Sequence, residues 1–350
     1  MSRHGINCSS PLINRQRMKV LAVTNISPTE SYPESGTFVE QQIRGLRQVG
    51  VDVRVLFVDR RVRGALAYAS IPWLVSAALA GFDADLVHVM YGGVLADLVT
   101  FRVNDRPTVV TFHGSDLLGG RSFKWLKRWM AAVGVRSSRR AARRANGIVV
   151  VAPALKQTLP GDVDRDNVRV IPCGIDLDRF RPLDHAQCRS ELNWPADRFH
   201  VLFNSAGNDP VKRPWLARST IEHLNRTGIS AELHELRGVR NEMVPVWLNA
   251  SDALLLTSLH EGSPTIVKEA LACNLPVVSV DVGDVRERIR GIDGCHVASA
   301  DAQELADKLR RVQERQQRVV GHSEMRELSL EHVASRLRAF YAEVMQAGGR

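Results

Sequence analysis

The stretch Ala253–Asp281, ALLLTSLHEGSPTIVKEALACNLPVVSVD, decides the fold class of this chain. Its apolar runs Ala253–Thr257 and Pro276–Val280 predict strands that are buried on both faces. The segment between them, Pro264–Cys273, has the apolar spacing of a helix. A strand, a helix and a second strand in this order form the repeating unit of a parallel α/β domain.

The same unit recurs outward in both directions. The predicted strands before the midpoint are Val20–Asn25, Val51–Val58, Leu86–Met90, Thr108–Phe112, Gly147–Val151 and Val168–Pro172, and those after it are His200–Ser205, Ala231–Leu236, Ala253–Thr257, Pro276–Val280 and Cys295–Ala298. A loop at Pro172–Pro182 separates the two sets, and a last amphipathic helix covers about Leu330–Met345. We therefore predict an α/β fold with two doubly wound, Rossmann-like domains that face each other across a cleft. The predicted units are 18–175, 183–325 and a final helix, 326–347, that returns to the first domain.

The composition is that of a globular protein. Of 350 residues, 44% are hydrophobic and 24% are charged, which excludes disordered, collagen-like and low-complexity classes. The formal net charge of +9 favours anionic partners. The five cysteines are scattered without a C-x-x-C pair, which argues against a disulfide framework or a structural zinc site and favours a reducing cytoplasm.

Two segments bear on the cellular location. The first 17 residues contain no apolar core of a signal peptide, so we expect none. Gly64–Phe82 contains no charge and approaches the length of a membrane span, but it is rich in alanine and contains Pro72. This segment could form a buried helix or helix pair, or it could insert into a membrane, and both interpretations remain open.

The turn before the predicted helix is suited to binding an anion. Gly262 permits a tight turn, Ser263 is a good N-cap, and Pro264 fits the first helical position. The free amides around Thr265 and Ile266 would then face the cleft. A helix start with free amides suits a diphosphate.

Two carboxylates flank this turn. Glu261 precedes it and Glu269 lies in the helix. A carboxylate accepts two hydroxyl hydrogen bonds, which suits a sugar or a ribose diol. The alternative is that both are solvated charges near a helix start, where the helix dipole favours acids. The residues alone leave both interpretations open.

The pattern E-x7-E at Glu261 and Glu269 resembles the signature of the family 4 retaining glycosyltransferases, which have the GT-B fold. Three other stretches are similar to motifs of that family: SGTFV at 35–39, TFHGSD at 111–116 and PCGIDLDRFRP at 172–182. The resemblance covers roughly residues 18–345.

The resemblance implies a role for each matching residue. Glu269 would bind the ribose of a nucleotide-sugar donor, and Glu261 would contact the donor sugar beside the anomeric carbon. His113 would reach that sugar from the other domain. Two further sets are implied: donor contacts at Gly262, Ser263, Pro264, Thr265 and Ile266, and acceptor-side contacts at Gly36, Thr37 and Tyr91.

Lys212 is the predicted diphosphate cation. The family places a lysine here, and usually an arginine a few residues before it, where this chain has Gly207, Asn208 and Asp209. Either Arg213 replaces the missing arginine, or one cation and the backbone amides hold the diphosphate. We count Gly207, Asn208 and Arg213 as predicted donor-binding residues; the alternative for Lys212 and Arg213 is a solvated loop pair.

No metal or other cofactor is expected. Asp83 and Asp85 have the D-x-D spacing of a cation site, but they precede a predicted strand, at the end opposite the cleft. The resemblance implies a metal-independent reaction. His88 ends the same predicted strand. It could line an acceptor pocket or have only a packing role, and both interpretations remain open.

The stretch Arg121–Arg144 contains nine lysines and arginines and no acid. An apolar stripe recurs along it at helical spacing: Trp125, Leu126, Trp129, Met130 and Val133. A basic amphipathic helix with tryptophan suits an anionic membrane surface. The alternative is a helix whose stripe packs on the first domain. A nucleic-acid partner is not expected, because no nucleic-acid-binding motif accompanies the charge.

The sequence therefore predicts a retaining, metal-independent glycosyltransferase. It would move a sugar from a UDP- or GDP-linked donor to a sugar or lipid-linked acceptor, in the synthesis of a surface polysaccharide or glycoconjugate. Its expected place is the cytoplasm, or the inner face of the cell membrane. The alternatives are a nucleotide-sugar 2-epimerase on the same fold and a non-catalytic nucleotide-sugar-binding protein.

Overall fold

A computed structural model describes residues 17–29, 35–59, 64–119, 125–205 and 209–348. The first half of the chain forms a six-stranded sheet in the order β2-β1-β3-β4-β5-β6, and all its strand pairs are parallel. Its strands are β1 (Lys19–Thr24), β2 (Asp52–Phe57), β3 (Leu86–Val89), β4 (Thr108–Phe112), β5 (Gly147–Val150) and β6 (Val168–Val170).

The second half forms a five-stranded parallel sheet in the order β11-β10-β9-β7-β8. Its strands are β7 (Phe199–Phe203), β8 (Ala231–Glu235), β9 (Ala253–Leu256), β10 (Val277–Val280) and β11 (His296–Ala298). Each sheet has its own buried apolar core. The predicted α/β class is thus correct, and every predicted strand is present with its ends displaced by at most two residues.

Helices alternate with the strands, as parallel connections require. Those of the first half are α1 (Thr37–Gln48), α2 (Ile71–Ala80), α3 (Val94–Arg102), α4 (Ser115–Leu118), α5 (Trp125–Arg144) and α6 (Pro153–Lys156). Those of the second half are α7 (His185–Leu192), α8 (Pro214–Arg226), α9 (Val244–Ala250), α10 (Thr265–Ala272), α11 (Val285–Ile289), α12 (Ala302–Arg315) and α13 (Leu330–Gly348).

The last helix, α13, returns to the first sheet. Gly45 of α1 lies so close to it that an added Cβ would be 2.9 Å from the carbonyl oxygen of Leu330. The hydroxyl of Tyr341 lies 2.6 Å from Nδ1 of His88, whose Nε2 lies 2.7 Å from the hydroxyl of Thr111. All three side chains are buried, and burial lowers the pKa of His88 to about 3. His88 therefore ties α13 to the sheet, and the alternative that it lines an acceptor pocket is wrong.

The uncharged segment Gly64–Phe82 does not form one long helix. It contains a 3₁₀ helix, Gly64–Tyr68, followed by the ten-residue α2. In the described part of the chain, no helix combines the length and the apolar character needed to cross a bilayer.

Candidate active site

The loop between β9 and α10 carries the predicted donor-binding residues. The helix starts at Thr265 with Pro264 at the N-cap, one residue later than predicted, and the side chain of this proline makes no capping hydrogen bond. The predicted N-cap role of Ser263 is therefore wrong. The Ser263 hydroxyl is engaged elsewhere, because it donates to the carboxylate of Asp284 at 2.8 Å. Within the described part of the chain, no side chain accepts a hydrogen bond from the first amides of α10, as a helix-start anion site requires.

A buried polar network holds this loop, and it centres on Lys268. Its fully buried ammonium donates to the hydroxyl of Ser263 at 3.2 Å and to the carbonyl of Cys173, in the interdomain linker, at 3.0 Å. Arg288 donates to Asp284 at 2.8 Å and completes the network. Burial lowers the pKa of Lys268. The sequence predicts no role for Lys268 or Asp284, and the one signal it offers is a lysine within the apolar run of α10.

Lys212 and Glu261 form an ion pair. Nζ of Lys212 lies 2.5 Å from Oε1 of Glu261, and each side chain is 15% exposed. Lys212 ends the 3₁₀ helix Pro210–Lys212 that follows β7, while Glu261 follows β9. Because β7 and β9 are neighbours in a parallel sheet, the loops at their carboxyl ends meet. The structure thus brings the predicted cation and the predicted sugar-binding carboxylate together.

Arg213 contacts backbone carbonyls. Its Nη2 donates to the carbonyl of Ser258 at 3.0 Å and its Nε to that of Thr257 at 2.5 Å. These contacts fasten the end of β9 to the loop of Lys212, and they weigh against Arg213 as the replacement for the missing arginine. Gly207 and Asn208 lie outside the described residues.

Glu269 is the fifth residue of α10 and is half-buried. Removal from water raises the pKa of its carboxyl to about 7, and the nearby Arg179 and Lys268 oppose this rise. The carboxylate is therefore ionised in only part of the molecules near neutral pH. A ligand that donates hydroxyl hydrogen bonds to it would favour the ionised form.

The first domain contributes His113, at the end of β4. Nε2 of the half-buried imidazole lies 2.9 Å from the carbonyl of Met90, and burial lowers the pKa of His113 to about 4. The carboxylate of Asp116 accepts hydrogen bonds from the amides of His113, Gly114 and Gly92 at 2.9 to 3.1 Å. Asp116 therefore fixes the loop that presents His113, a role that the sequence does not predict.

The two loops touch through their main chains. A Cβ added to Gly262 would lie 2.1 Å from the carbonyl oxygen of His113, and one added to Gly114 would lie 3.1 Å from Gly262. Gly114 also has φ of 121°, a conformation that favours glycine. Only glycine permits this approach, which brings the loop of Glu261 against the loop of His113.

Aromatic rings surround His113. Tyr91 stacks on it with ring centroids 5.5 Å apart, and Phe38 lies at 4.5 Å. The Tyr91 hydroxyl is 2.6 Å from that of Ser115. Phe38 follows Gly36 and Thr37 at the start of α1, where Gly36 has φ of 76°. The predicted acceptor-side segment and Tyr91 are thus brought next to the predicted donor contact.

The aspartates of the D-x-D pattern have protein partners at the start of β3. Asp85 accepts a hydrogen bond from the amide of Lys19 at 2.7 Å, and Asp83 lies 3.4 Å from Arg106. Their position agrees with the interpretation that they take no part in the cleft.

The two ends of the basic helix α5 differ in their contacts. Near its carboxyl end, Arg140 and Arg144 pair with the carboxylate of Asp97 at 2.5 and 2.7 Å, and Arg143 pairs with Asp162 at 2.7 Å. Near its start, Trp129 is 60% exposed and Met130 56% exposed, so this part of the stripe does not pack on the first domain. The side chains of Trp125 and Leu126 lie outside the described residues.

Comparisons with known proteins agree with this architecture. The model of Glycosyltransferase Family 4 matches residues 33–179, and that of Glycosyl transferases group 1 matches residues 191–315. A Bacillus subtilis (strain 168) protein named "Putative teichuronic acid biosynthesis glycosyltransferase TuaC" is 25% identical over 367 residues, with 85% of this chain and 90% of that protein covered.

Solved structures show the same fold. Sucrose-phosphate synthase of Thermosynechococcus elongatus superposes with a TM-score of 0.76 at 17% identity, covering 95% of this chain and 100% of that one. HepE of Anabaena, solved with UDP and glucose, superposes with a TM-score of 0.69 at 15% identity, covering 93% and 100%. These likenesses and the two parallel sheets show that the chain has the GT-B fold. The two family matches, which together span most of residues 33–315, show that it belongs to glycosyltransferase family 4.

Proposed function

We propose that this glycosyltransferase uses a UDP- or GDP-linked sugar and transfers it, with retention of the anomeric configuration, to an acceptor hydroxyl in the synthesis of a surface polysaccharide or glycoconjugate. The observation that carries the proposal is the meeting of Lys212, Glu261 and the start of α10 with the loop of His113. HepE, a structural neighbour, was solved with UDP and with UDP-glucose, which supports a UDP-linked donor as the first to test.

The donor is held at three points in this proposal. The carboxylate of Glu269 accepts hydrogen bonds from the ribose hydroxyls. The diphosphate lies at the uncapped start of α10, where free amides and the helix dipole favour negative charge. The sugar lies between Glu261 and the His113 loop.

Because Lys212 and Glu261 form an ion pair, donor binding exchanges the partner of each charged group. In the empty site each charge neutralises the other. An arriving diphosphate competes for the ammonium of Lys212, and Glu261 is then free to accept hydrogen bonds from the sugar hydroxyls. With the donor bound, the ammonium of Lys212 is paired with the diphosphate and the carboxylate of Glu261 is satisfied by hydroxyl hydrogen bonds, so neither group is left without a polar partner.

Lys212 assists the reaction as the bond between sugar and diphosphate breaks. Negative charge then grows on the leaving diphosphate, and a fixed cation beside it stabilises the transition state more than the ground state. The departing phosphate oxygen takes the proton of the acceptor hydroxyl, which attacks from the same face. No protein side chain is required as the base, and no metal is required in this scheme.

The test is turnover with a panel of UDP- and GDP-linked sugars and a membrane extract that contains acceptors. Release of the nucleoside diphosphate gives the rate, and NMR of the product gives the anomeric configuration. We expect retention, and a loss in kcat on the order of 10²–10³-fold for Lys212→Ala. Arg226→Ala, which removes an exposed cation on α8, is the matched control.

Several outcomes would contradict the proposal. An inverted product would exclude retention, and full activity of Lys212→Ala would exclude its catalytic role. A new sugar formed from the donor without any acceptor would favour the 2-epimerase. Donor binding without turnover, under any acceptor condition, would favour the non-catalytic alternative.

The start of α5 is the proposed contact with an anionic membrane surface and a lipid-linked acceptor. Exposed Trp129 and Met130 follow Arg128, also exposed, which combines apolar and cationic groups as interfacial helices do. The arginines near the end of α5 suit this role less, because three of them are already paired.

Sedimentation with vesicles of anionic lipid tests this contact. We expect the double substitution Trp129→Ala and Met130→Ala to reduce binding severalfold. Trp215→Ala removes a tryptophan that is 63% exposed in the other domain, and it should leave binding unchanged. Equal binding of all three proteins would exclude α5 as the contact.

A further inference from the structure

A cluster of three potential metal ligands lies outside the active site, on the second sheet. His200 is on β7, while Glu232 and His234 are on the neighbouring edge strand β8. The parallel register pairs His200 with Glu232 and Leu202 with His234. One ligand atom from each of the three side chains lies within 4.8 Å of the other two.

The hydrogen bonds of His200 orient a lone pair towards the cluster. The ring is fully buried, and its Nε2 lies 2.7 Å from the carbonyl oxygen of Pro195. A carbonyl only accepts, so Nε2 carries the proton and the neutral ring keeps its lone pair on Nδ1. Nδ1 lies 2.8 Å from Nε2 of His234. A histidine whose second nitrogen donates to a carbonyl has the orientation and tautomer of a metal ligand.

Aromatic side chains hold both rings in place. Trp194 stacks on His234 with ring centroids 3.6 Å apart and on His200 at 5.0 Å, and Trp247 lies edge-on to His234. His234 is half-buried. A neutral imidazole is the form that binds metal.

Glu232 supplies an oxygen on the open side of the cluster. Its side chain is 41% exposed and lies 3.7 Å from Arg198. The carboxylate can turn from Arg198 towards the two rings without leaving a buried charge behind. Two imidazole nitrogens and one carboxylate oxygen are ligands that zinc prefers.

We propose that His200, Glu232 and His234 bind one Zn²⁺ ion, with a fourth position open to water. Nitrogens bound to zinc at about 2.0–2.1 Å with tetrahedral angles lie about 3.3 Å apart, so the ring of His234 moves outward by about 0.5 Å. The proton on Nε2 of His234 passes through solvent to Nδ1, and no net proton is released. The competing state is a direct hydrogen bond between the two rings with no metal.

The site would serve stability rather than catalysis. It joins β8 to β7, whereas the proposed donor site follows the carboxyl end of β9. The scattered cysteines argue against a Cys-based zinc site, but they do not bear on a site of histidine and glutamate. The inference is independent of the proposed metal-free transfer reaction.

The probe is Zn²⁺ alone, added to the full chain without a histidine tag after treatment with a chelator. Calorimetry should give one ion per chain, and saturation should raise the melting temperature by on the order of 5 °C. His234→Gln and Glu232→Gln should each weaken binding at least tenfold. His223→Gln, at a half-buried histidine on α8, is the matched control and should bind as the parent does.

Visible absorption of bound Co²⁺ gives a second readout on the unaltered chain. A four-coordinate spectrum supports the site, and a six-coordinate spectrum contradicts it. The proposal also fails if the parent protein does not bind zinc at one ion per chain in the calorimetric titration. It fails equally if His234→Gln and the parent bind zinc with the same affinity, because the ion would then lie elsewhere.

Discussion

Glu269→Gln should stabilise the empty protein at alkaline pH while it weakens nucleotide binding. Burial raises the pKa of the Glu269 carboxyl from its ordinary value of 4.5 to about 7. A carboxyl whose pKa rises on folding lowers the stability as the pH increases between these two values, because ionisation is easier in the unfolded chain. Glutamine keeps the shape and removes the charge.

The magnitude follows from the two pKa values. Their difference lowers the free energy of unfolding by about 3 kcal/mol at pH 8, where the carboxyl is ionised in both the folded and the unfolded state. At pH 5 the loss is less than about 1 kcal/mol. Because the side chain is only half-buried, water screens part of this penalty. We therefore expect Glu269→Gln to raise the free energy of unfolding by about 1–2 kcal/mol at pH 8. That gain corresponds to a rise in melting temperature on the order of 5 °C.

The assay is thermal unfolding followed by circular dichroism at pH 5 and pH 8 for the parent, Glu269→Gln and Glu222→Gln. Glu222 is exposed on α8, so its substitution controls for the loss of one surface charge. We expect a rise for Glu269→Gln that is confined to pH 8 and no rise for the control. A fall in the melting temperature of Glu269→Gln at pH 8, or an equal rise at both pH values, would contradict a raised pKa of Glu269.

Three further substitutions test the contacts that position the site. Gly262→Ala places a methyl group 2.1 Å from the carbonyl oxygen of His113, so turnover should fall at least tenfold; full turnover would contradict the close approach. Lys268→Met removes the hydrogen bonds of a fully buried ammonium and should lower the free energy of unfolding in urea by about 1–3 kcal/mol, whereas an unchanged midpoint would show that the network adds nothing. Tyr341→Phe leaves Nδ1 of the buried His88 without its partner and should reduce the melting temperature without changing nucleotide affinity; a change in affinity instead would place α13 in the donor site.

The strands could be predicted from the sequence because parallel strands covered on both faces are nearly continuous apolar runs. Their ends were less certain. The last predicted strand of the first sheet, Val168–Pro172, ends at Val170 in the structure, and Pro172 has no amide to donate to the sheet. In the second sheet, the run His200–Ser205 ends at Phe203.

The candidate site was predicted only in part. The spacing of Glu261 and Glu269 could be read directly, because both lie within one strand-turn-helix unit. The hydrogen bond from Lys268 to Cys173 joins residues 95 positions apart, and no local pattern indicates it. Ser263 was assigned to the N-cap because the local preference of serine is strong, but its tertiary contact with Asp284 prevailed.

The pairing of Lys212 with Glu261 was also not predicted. The two residues were assigned to different parts of the donor, and their ion pair depends on neighbouring strands that are not consecutive in the chain. The pair is the reason to expect that donor binding exchanges one charge partner for another.

Calorimetric titration with UDP, GDP, ADP and CMP shows directly whether the E-x7-E loop binds a nucleoside diphosphate. We expect selective binding of one diphosphate, UDP or GDP, that is greatly weakened in Glu269→Ala and unchanged in Glu222→Ala. Binding of none of the four, or binding that survives Glu269→Ala without loss, would contradict it.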